Sequence, residues 1–109
     1  MSNHHLCTLF QLPIRGGRIF EDVGDDDRDV LVFRHEGGQL TAFDAACPHA
    51  GAMMRPENEM RGVLTCHLHL WQFDIKTGDC INVPACPMTP YKVTIDGLNV
   101  LIRLHGPLL

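Results

Sequence analysis

Residues 91–104 run Tyr91-Lys92-Val93-Thr94-Ile95-Asp96-Gly97-Leu98-Asn99-Val100-Leu101-Ile102-Arg103-Leu104. From Tyr91 to Ile95 apolar and polar side chains alternate, the period of a half-buried strand. Asp96-Gly97 offers the left-handed positions of a tight turn, and residues 98–104 run back as a second strand. Upstream, Val30-Leu31-Val32-Phe33-Arg34 is β-branched and aromatic, and Gly37-Gly38 turns the chain into a returning strand at 39–43. Residues 7–12 and 18–23 have the same character, with Gly16-Gly17 between them, and 62–65 and 70–75 are short strand candidates before a turn at 76–79. Helical periodicity is weak throughout, so the expected fold class is all-β.

The chain has 109 residues, room for one domain (1–109) with a small core that an added staple would help. With 9 basic residues against 13 acidic ones, the formal charge is -4, which disfavours a nucleic-acid binder. No apolar run approaches the roughly 18 residues of a membrane span. The opening Met1-Ser2-Asn3-His4-His5 lacks the basic-then-apolar order of a secretory leader, so the expected location is cytoplasmic. Residues 21–29 hold six acids and one arginine, read as a solvated loop or a docking patch for a basic partner. Residues 45–61 and 82–90 resist strand assignment and are expected to be long loops, the kind that carry function.

Five cysteines and seven histidines are the excess in this composition. An odd cysteine count suits metal binding or burial better than a disulfide framework in a reducing compartment. Cys47-Pro48-His49 and, sixteen residues later, Cys66-His67-Leu68-His69 form two mixed Cys/His pairs, each where a strand candidate meets a loop. Thiolate with imidazole fits zinc or iron–sulfur chemistry and excludes calcium and magnesium. Structural zinc sites pair like with like, whereas a binuclear cluster with both thiolates on one iron and both imidazoles on the other explains mixed pairs.

The stretches Cys47-Pro-His49-Ala-Gly-Ala and Cys66-x-x-His69-x-Trp71-x-Phe73-Asp74-x-x-Thr77-Gly78 resemble the two cluster-binding boxes of Rieske-type ferredoxins. Pro84-Ala85, Tyr91-x-Val93 and Asp96-Gly97 follow in the family's order, so the resemblance covers roughly residues 30–104. It implies stacked antiparallel sheets and one [2Fe-2S] cluster held by Cys47, His49, Cys66 and His69. Two loops within about 45–87 would bind it, under a proline-bearing cover loop at 84–87. Many relatives have Pro after the second cysteine and Gly after the second histidine, where this chain has His67 and Leu70. The Leu70-Trp71 pair looks closer to ferredoxins of di-iron monooxygenases than to those of ring-hydroxylating dioxygenases.

High-potential Rieske proteins add a disulfide, at positions that here are Ala52 and Leu68, and hydroxyl donors at positions that here are Trp71 and Phe73. None of the four residues has that chemistry, so the expected potential lies low in the roughly -150 to +300 mV Rieske range. His49 and His69 are expected to offer their outer edges to solvent as the electron route, with a potential that falls at alkaline pH; His67 is expected to face solvent. Met53, Met54, Leu70 and Trp71 either rim a docking surface or shield the site. Cys7 and Cys80 are expected to be buried apolar fillers, and Cys86 to lie near the cluster without ligating it. His4, His5, His35 and His105 are expected at the surface.

These features imply a one-electron carrier, not an enzyme in itself, that works between an NAD(P)H-dependent flavin reductase and a terminal oxygenase. It is expected to be a monomer that docks transiently. The alternatives are a zinc-stabilised structural module and a permanently bound small subunit of a larger oxidoreductase.

Overall fold

The computed structural model describes residues 3–24, 27–48, 52–67, 70–82 and 87–104. His49, Leu68, His69, Pro84, Cys86 and His105 lie outside the described residues.

The expected all-β architecture of antiparallel sheets is found. Among the described residues nine strands form: β1 (His4–Thr8), β2 (Gly16–Val23), β3 (Arg28–Arg34), β4 (Leu40–Asp44), β5 (Glu59–Met60), β6 (Val63–Thr65), β7 (Gln72–Asp74), β8 (Pro90–Asp96) and β9 (Asn99–Arg103). Six make one antiparallel sheet in the order β1-β9-β8-β4-β3-β2, and β5-β6-β7 make a second. The two are continuous along the chain, because the small sheet is inserted between β4 and β8, which pair directly through Ala42–Tyr91 and Phe43–Pro90.

Strand β3 explains how the two sheets become one body. Side chains alternate across a strand, and here both faces are dry. Val30 and Val32 join Cys7, Leu12, Ala42, Tyr91, Val100, Ile102 and Leu104 in one core. Leu31 and Phe33 face the other way, into a core with Phe43, Met54, Leu64, Phe73 and Met88. A strand covered on both sides needs an unbroken apolar run, which is why Val30-Leu31-Val32-Phe33 shows no alternation. Adjacent Ala42 and Phe43 on β4 divide between the two cores in the same way.

Several expectations shift. The first strand ends at Thr8 and residues Leu9–Gln11 form a 3-10 turn in place of a strand to 12, with the Gln11 side chain accepting the Thr8 N–H at 2.8 Å. Gly16 and Gly17 lie inside β2 instead of before it. The acidic stretch 21–29 is not a loop throughout: β2 runs to Val23 and β3 starts at Arg28, with Gly24 (φ 75°) and Asp27 (φ 51°) flanking the tip. The last hairpin turns one residue later than expected. Asp96 pairs with Asn99, so Gly97 (φ 64°) and Leu98 occupy the turn, and of these only Gly97 is left-handed. That is the pattern of a two-residue turn with glycine in its first position. The stretch 45–61 holds an Ala46–Met53 bridge, a 3-10 turn at Pro56–Asn58 and β5.

Candidate metal centre

Cys47 and Cys66 open two matching backbone patterns, and both side chains belong to the core of Leu31, Phe33 and Phe43. Cys47 N–H donates to the Ala52 carbonyl at 2.7 Å, and Met54 N–H donates to the Ala45 carbonyl at 2.7 Å. Cys66 N–H donates to the Trp71 carbonyl at 2.8 Å, and Leu70 N–H donates to the Cys66 carbonyl at 2.9 Å. In both loops the opening cysteine bonds to the carbonyl five residues on.

Both thiols are withdrawn from solvent, Cys47 to 2% exposure and Cys66 to 0%, and both belong to the core that holds Met54, Leu64 and Phe73. Cys66 carries a free thiol, so the two are not joined by a disulfide. Two buried thiols, brought to one apolar patch by two equivalent loops, are the soft donors an iron–sulfur cluster requires. The donor set therefore fits such a cluster. Among the described residues no set of three or more Cys, His, Asp or Glu side chains converges.

The surroundings answer several expectations. His67 is exposed, as expected, and so is Pro48. Met54 is core and cannot rim a docking surface; Met53 and Trp71 are partly buried against that core; Leu70 stands out at 68% exposure. Leu70 is also left-handed, at φ 57°. A glycine suits this position without strain, whereas an L-residue in that region is disfavoured by roughly 1–2 kcal/mol. Of the cover loop, residues 83–86 lie outside the described set and Pro87 is exposed.

Cys7 and Cys80 are buried as expected, and burial pushes the Cys7 thiol up, keeping it protonated and inert. His35 corrects an expectation. It is 8% exposed instead of at the surface, because Thr41 holds it from the neighbouring strand. His35 Nε2 and Thr41 Oγ1 are 2.8 Å apart, and Thr41 Oγ1 donates its one proton to the Ile75 carbonyl at 2.7 Å. Oγ1 must therefore accept, which fixes the proton on Nε2. This chain of bonds ties β4 to the segment following β7.

Comparison with known proteins follows the same lines. The model of the Rieske [2Fe-2S] domain family matches residues 4–95. The chain belongs to this family, and its cofactor is a Rieske-type [2Fe-2S] cluster. It is 34% identical over 82 residues to the ferredoxin component of the alkene monooxygenase system of Xanthobacter autotrophicus, covering 74% of this chain and 65% of that one. To the 3-phenylpropionate/cinnamic acid dioxygenase ferredoxin subunit of Photorhabdus laumondii it is 30% identical over 106 residues, covering 95% and 96%. A 57-residue stretch is 44% identical to the cholesterol 7-desaturase nvd of Hemicentrotus pulcherrimus, but spans only 12% of that protein. Among solved structures, the ferredoxin of carbazole 1,9a-dioxygenase from Nocardioides aromaticivorans superposes with a TM-score of 0.70 at 26% identity, covering 94% of this chain and 97% of that one. A Sphingomonas yanoikuyae ferredoxin gives 0.74 at 24%, covering 93% and 97%.

Proposed function

We propose that this chain is a one-electron carrier, a Rieske ferredoxin that accepts electrons from an NAD(P)H-dependent flavin reductase and delivers them to a terminal oxygenase. Cys47 and Cys66 bind one iron and His49 and His69 the other. The observation that carries this reading is the pair of equivalent loops, each opened by a buried cysteine and closed by that cysteine's own N–H. The relatives matched over most of this chain are ferredoxin components of oxygenases, which supports an oxygenase partner.

When bound, the cluster stores one added electron. The chain's own residues hold and insulate it. Backbone bonds hold Cys47 and Cys66 in place, and Met54, Leu64 and Phe73 would keep water from their thiolates. Four protein ligands leave no open position for substrate, which suits transfer and not turnover. No helix among the described residues is long and apolar enough to cross a membrane. The protein acts as a monomer in the cytoplasm, as one domain over residues 1–109.

The test is spectroscopic. The purified protein is expected to be red-brown, to bleach with dithionite, and to give a Rieske-type paramagnetic resonance signal when reduced. The His49→Ala/His69→Ala double variant loses that signal. A colourless protein with stoichiometric zinc overturns the proposal in favour of a structural module, and constant co-purification with one large subunit overturns the free carrier.

A further inference from the structure

We propose that Leu70 is a docking residue, held in an unfavourable backbone conformation so that its side chain lines the groove that receives a redox partner. The partner surface it fits is an apolar knob ringed by lysines or arginines. This inference rests on the carrier reading and specifies how that carrier recognises its partner.

Three observations converge. Leu70 combines a left-handed backbone (φ 57°) with 68% exposure, so neither packing nor conformational preference accounts for a leucine there. Strain retained in the absence of a packing gain points to function. Second, Leu70 is not a loose tip: its N–H donates to the Cys66 carbonyl, and the next carbonyl, that of Trp71, accepts from Cys66 N–H. The side chain is thus presented in a fixed direction from the loop that carries a buried thiol. Third, Leu70 walls a groove with Met60, Thr65, His67, Asn58, Glu57 and Glu59.

Met60, another lining residue, is 73% exposed and adds a second exposed apolar side chain. The charged groups among the described lining residues, Glu57 and Glu59, are both acids. Glu59 is held in place, because its Oε2 accepts the Gly62 N–H at 2.8 Å. A groove lined by exposed Leu70 and Met60 together with two acids is complementary to a basic, apolar-centred surface. Such a patch, small and rimmed by charge, favours fast encounter and fast release, as a shuttle requires.

The experiment uses the cluster-loaded protein, reduced chemically, with cytochrome c as the basic redox probe and ferricyanide as a small acceptor that needs no docking. Leu70→Gly is expected to raise the thermal midpoint by a few degrees, leave the resonance signal and reduction potential unchanged, and slow cytochrome c reduction about tenfold. Leu70→Ala is expected to slow it similarly with no gain in midpoint. Glu57→Gln slows it and weakens its salt dependence, whereas Asp96→Asn, which removes the same charge at the β8–β9 turn, does neither. Unchanged transfer to cytochrome c in Leu70→Gly and Leu70→Ala overturns the docking role while leaving the carrier intact. Failure of the wild-type protein to reduce ferricyanide overturns the carrier reading instead.

Discussion

The Tyr91 hydroxyl donates to Asp44 Oδ2 at 2.7 Å, and Asp44 Oδ1 in turn accepts the Ala46 N–H at 2.8 Å. One carboxylate therefore joins β8 to the residue that precedes Cys47. Arg28 Nη1 donates to the same hydroxyl at 3.1 Å, so the phenol bridges a cation and an anion. Tyr91→Phe is expected to destabilise the fold by about 2 kcal/mol, as for a hydrogen bond to a charged group. Urea unfolding measures this directly.

Burial, followed by the bond to Asp44, pushes the Tyr91 hydroxyl above its ordinary value. The neutral phenol is favoured in the folded state. Its contribution is complete below about pH 10, the unfolded value, and is lost as pH rises through the higher folded value. Unfolding midpoints followed from neutral to strongly alkaline pH are expected to fall in the wild type and to fall less in Tyr91→Phe.

Burial, the largest effect, with Lys76 adding to it, lowers the His35 value, against the opposing pull of Asp74 and Glu59. An unfolded histidine takes up its proton near pH 6.5, before the folded one does. Stability is full above that value and declines as pH falls through the lower folded value. The wild type is expected to lose stability on acidification across this window, and His35→Gln to show a flatter profile; matched urea titrations at several pH values decide it.

Gly78 and Gly62 share one backbone conformation, φ 85°. A methyl group on Gly78 would lie 2.7 Å from Phe43 Cε1 and 3.3 Å from the Met88 carbonyl, whereas Gly62 has open space. Both alanine variants incur the left-handed backbone term of roughly 1–2 kcal/mol. Gly78→Ala is expected to add about 1–3 kcal/mol of overpacking, because Phe43 belongs to the core beneath the metal centre. The difference between the two midpoints isolates the steric part.

Phe73 is fully buried in the core shared with Cys47 and Cys66 and has no hydroxyl. Phe73→Tyr is expected to raise the reduction potential by offering a hydrogen-bond donor near the cluster sulfurs, as read by voltammetry. No rise means that the new hydroxyl does not reach them.

Strands and turns were legible where local chemistry is strong. The strand over 91–95 forms, although its burial does not alternate and Ile95 is exposed; the glycine turn at 37–38 and the buried cysteines 7 and 80 appear as expected. Boundaries slipped where side chains reach across local structure. Gln11 caps Thr8 and tightens residues 9–11 into a turn, and no periodicity signals that. The placement of His35 depends on Thr41 and on Ile75, forty residues away, a relation invisible in a window of ten. At the metal centre the spacing of Cys47 and Cys66 was readable, but not the left-handed Leu70 or the groove it shares with Met60. The one available signal was a leucine standing where glycine is usual in similar chains.

A strand wetted on neither side has two masters. Along β3 the even positions Val30 and Val32 answer to one core and the odd positions Leu31 and Phe33 to the other. Substitutions at 31 or 33 can adjust the surroundings of the metal centre without repacking the far core, since the backbone between them is the wall. The same wall means that neither half can melt while the other stays whole, so hydrogen exchange across 30–33 should report global unfolding alone.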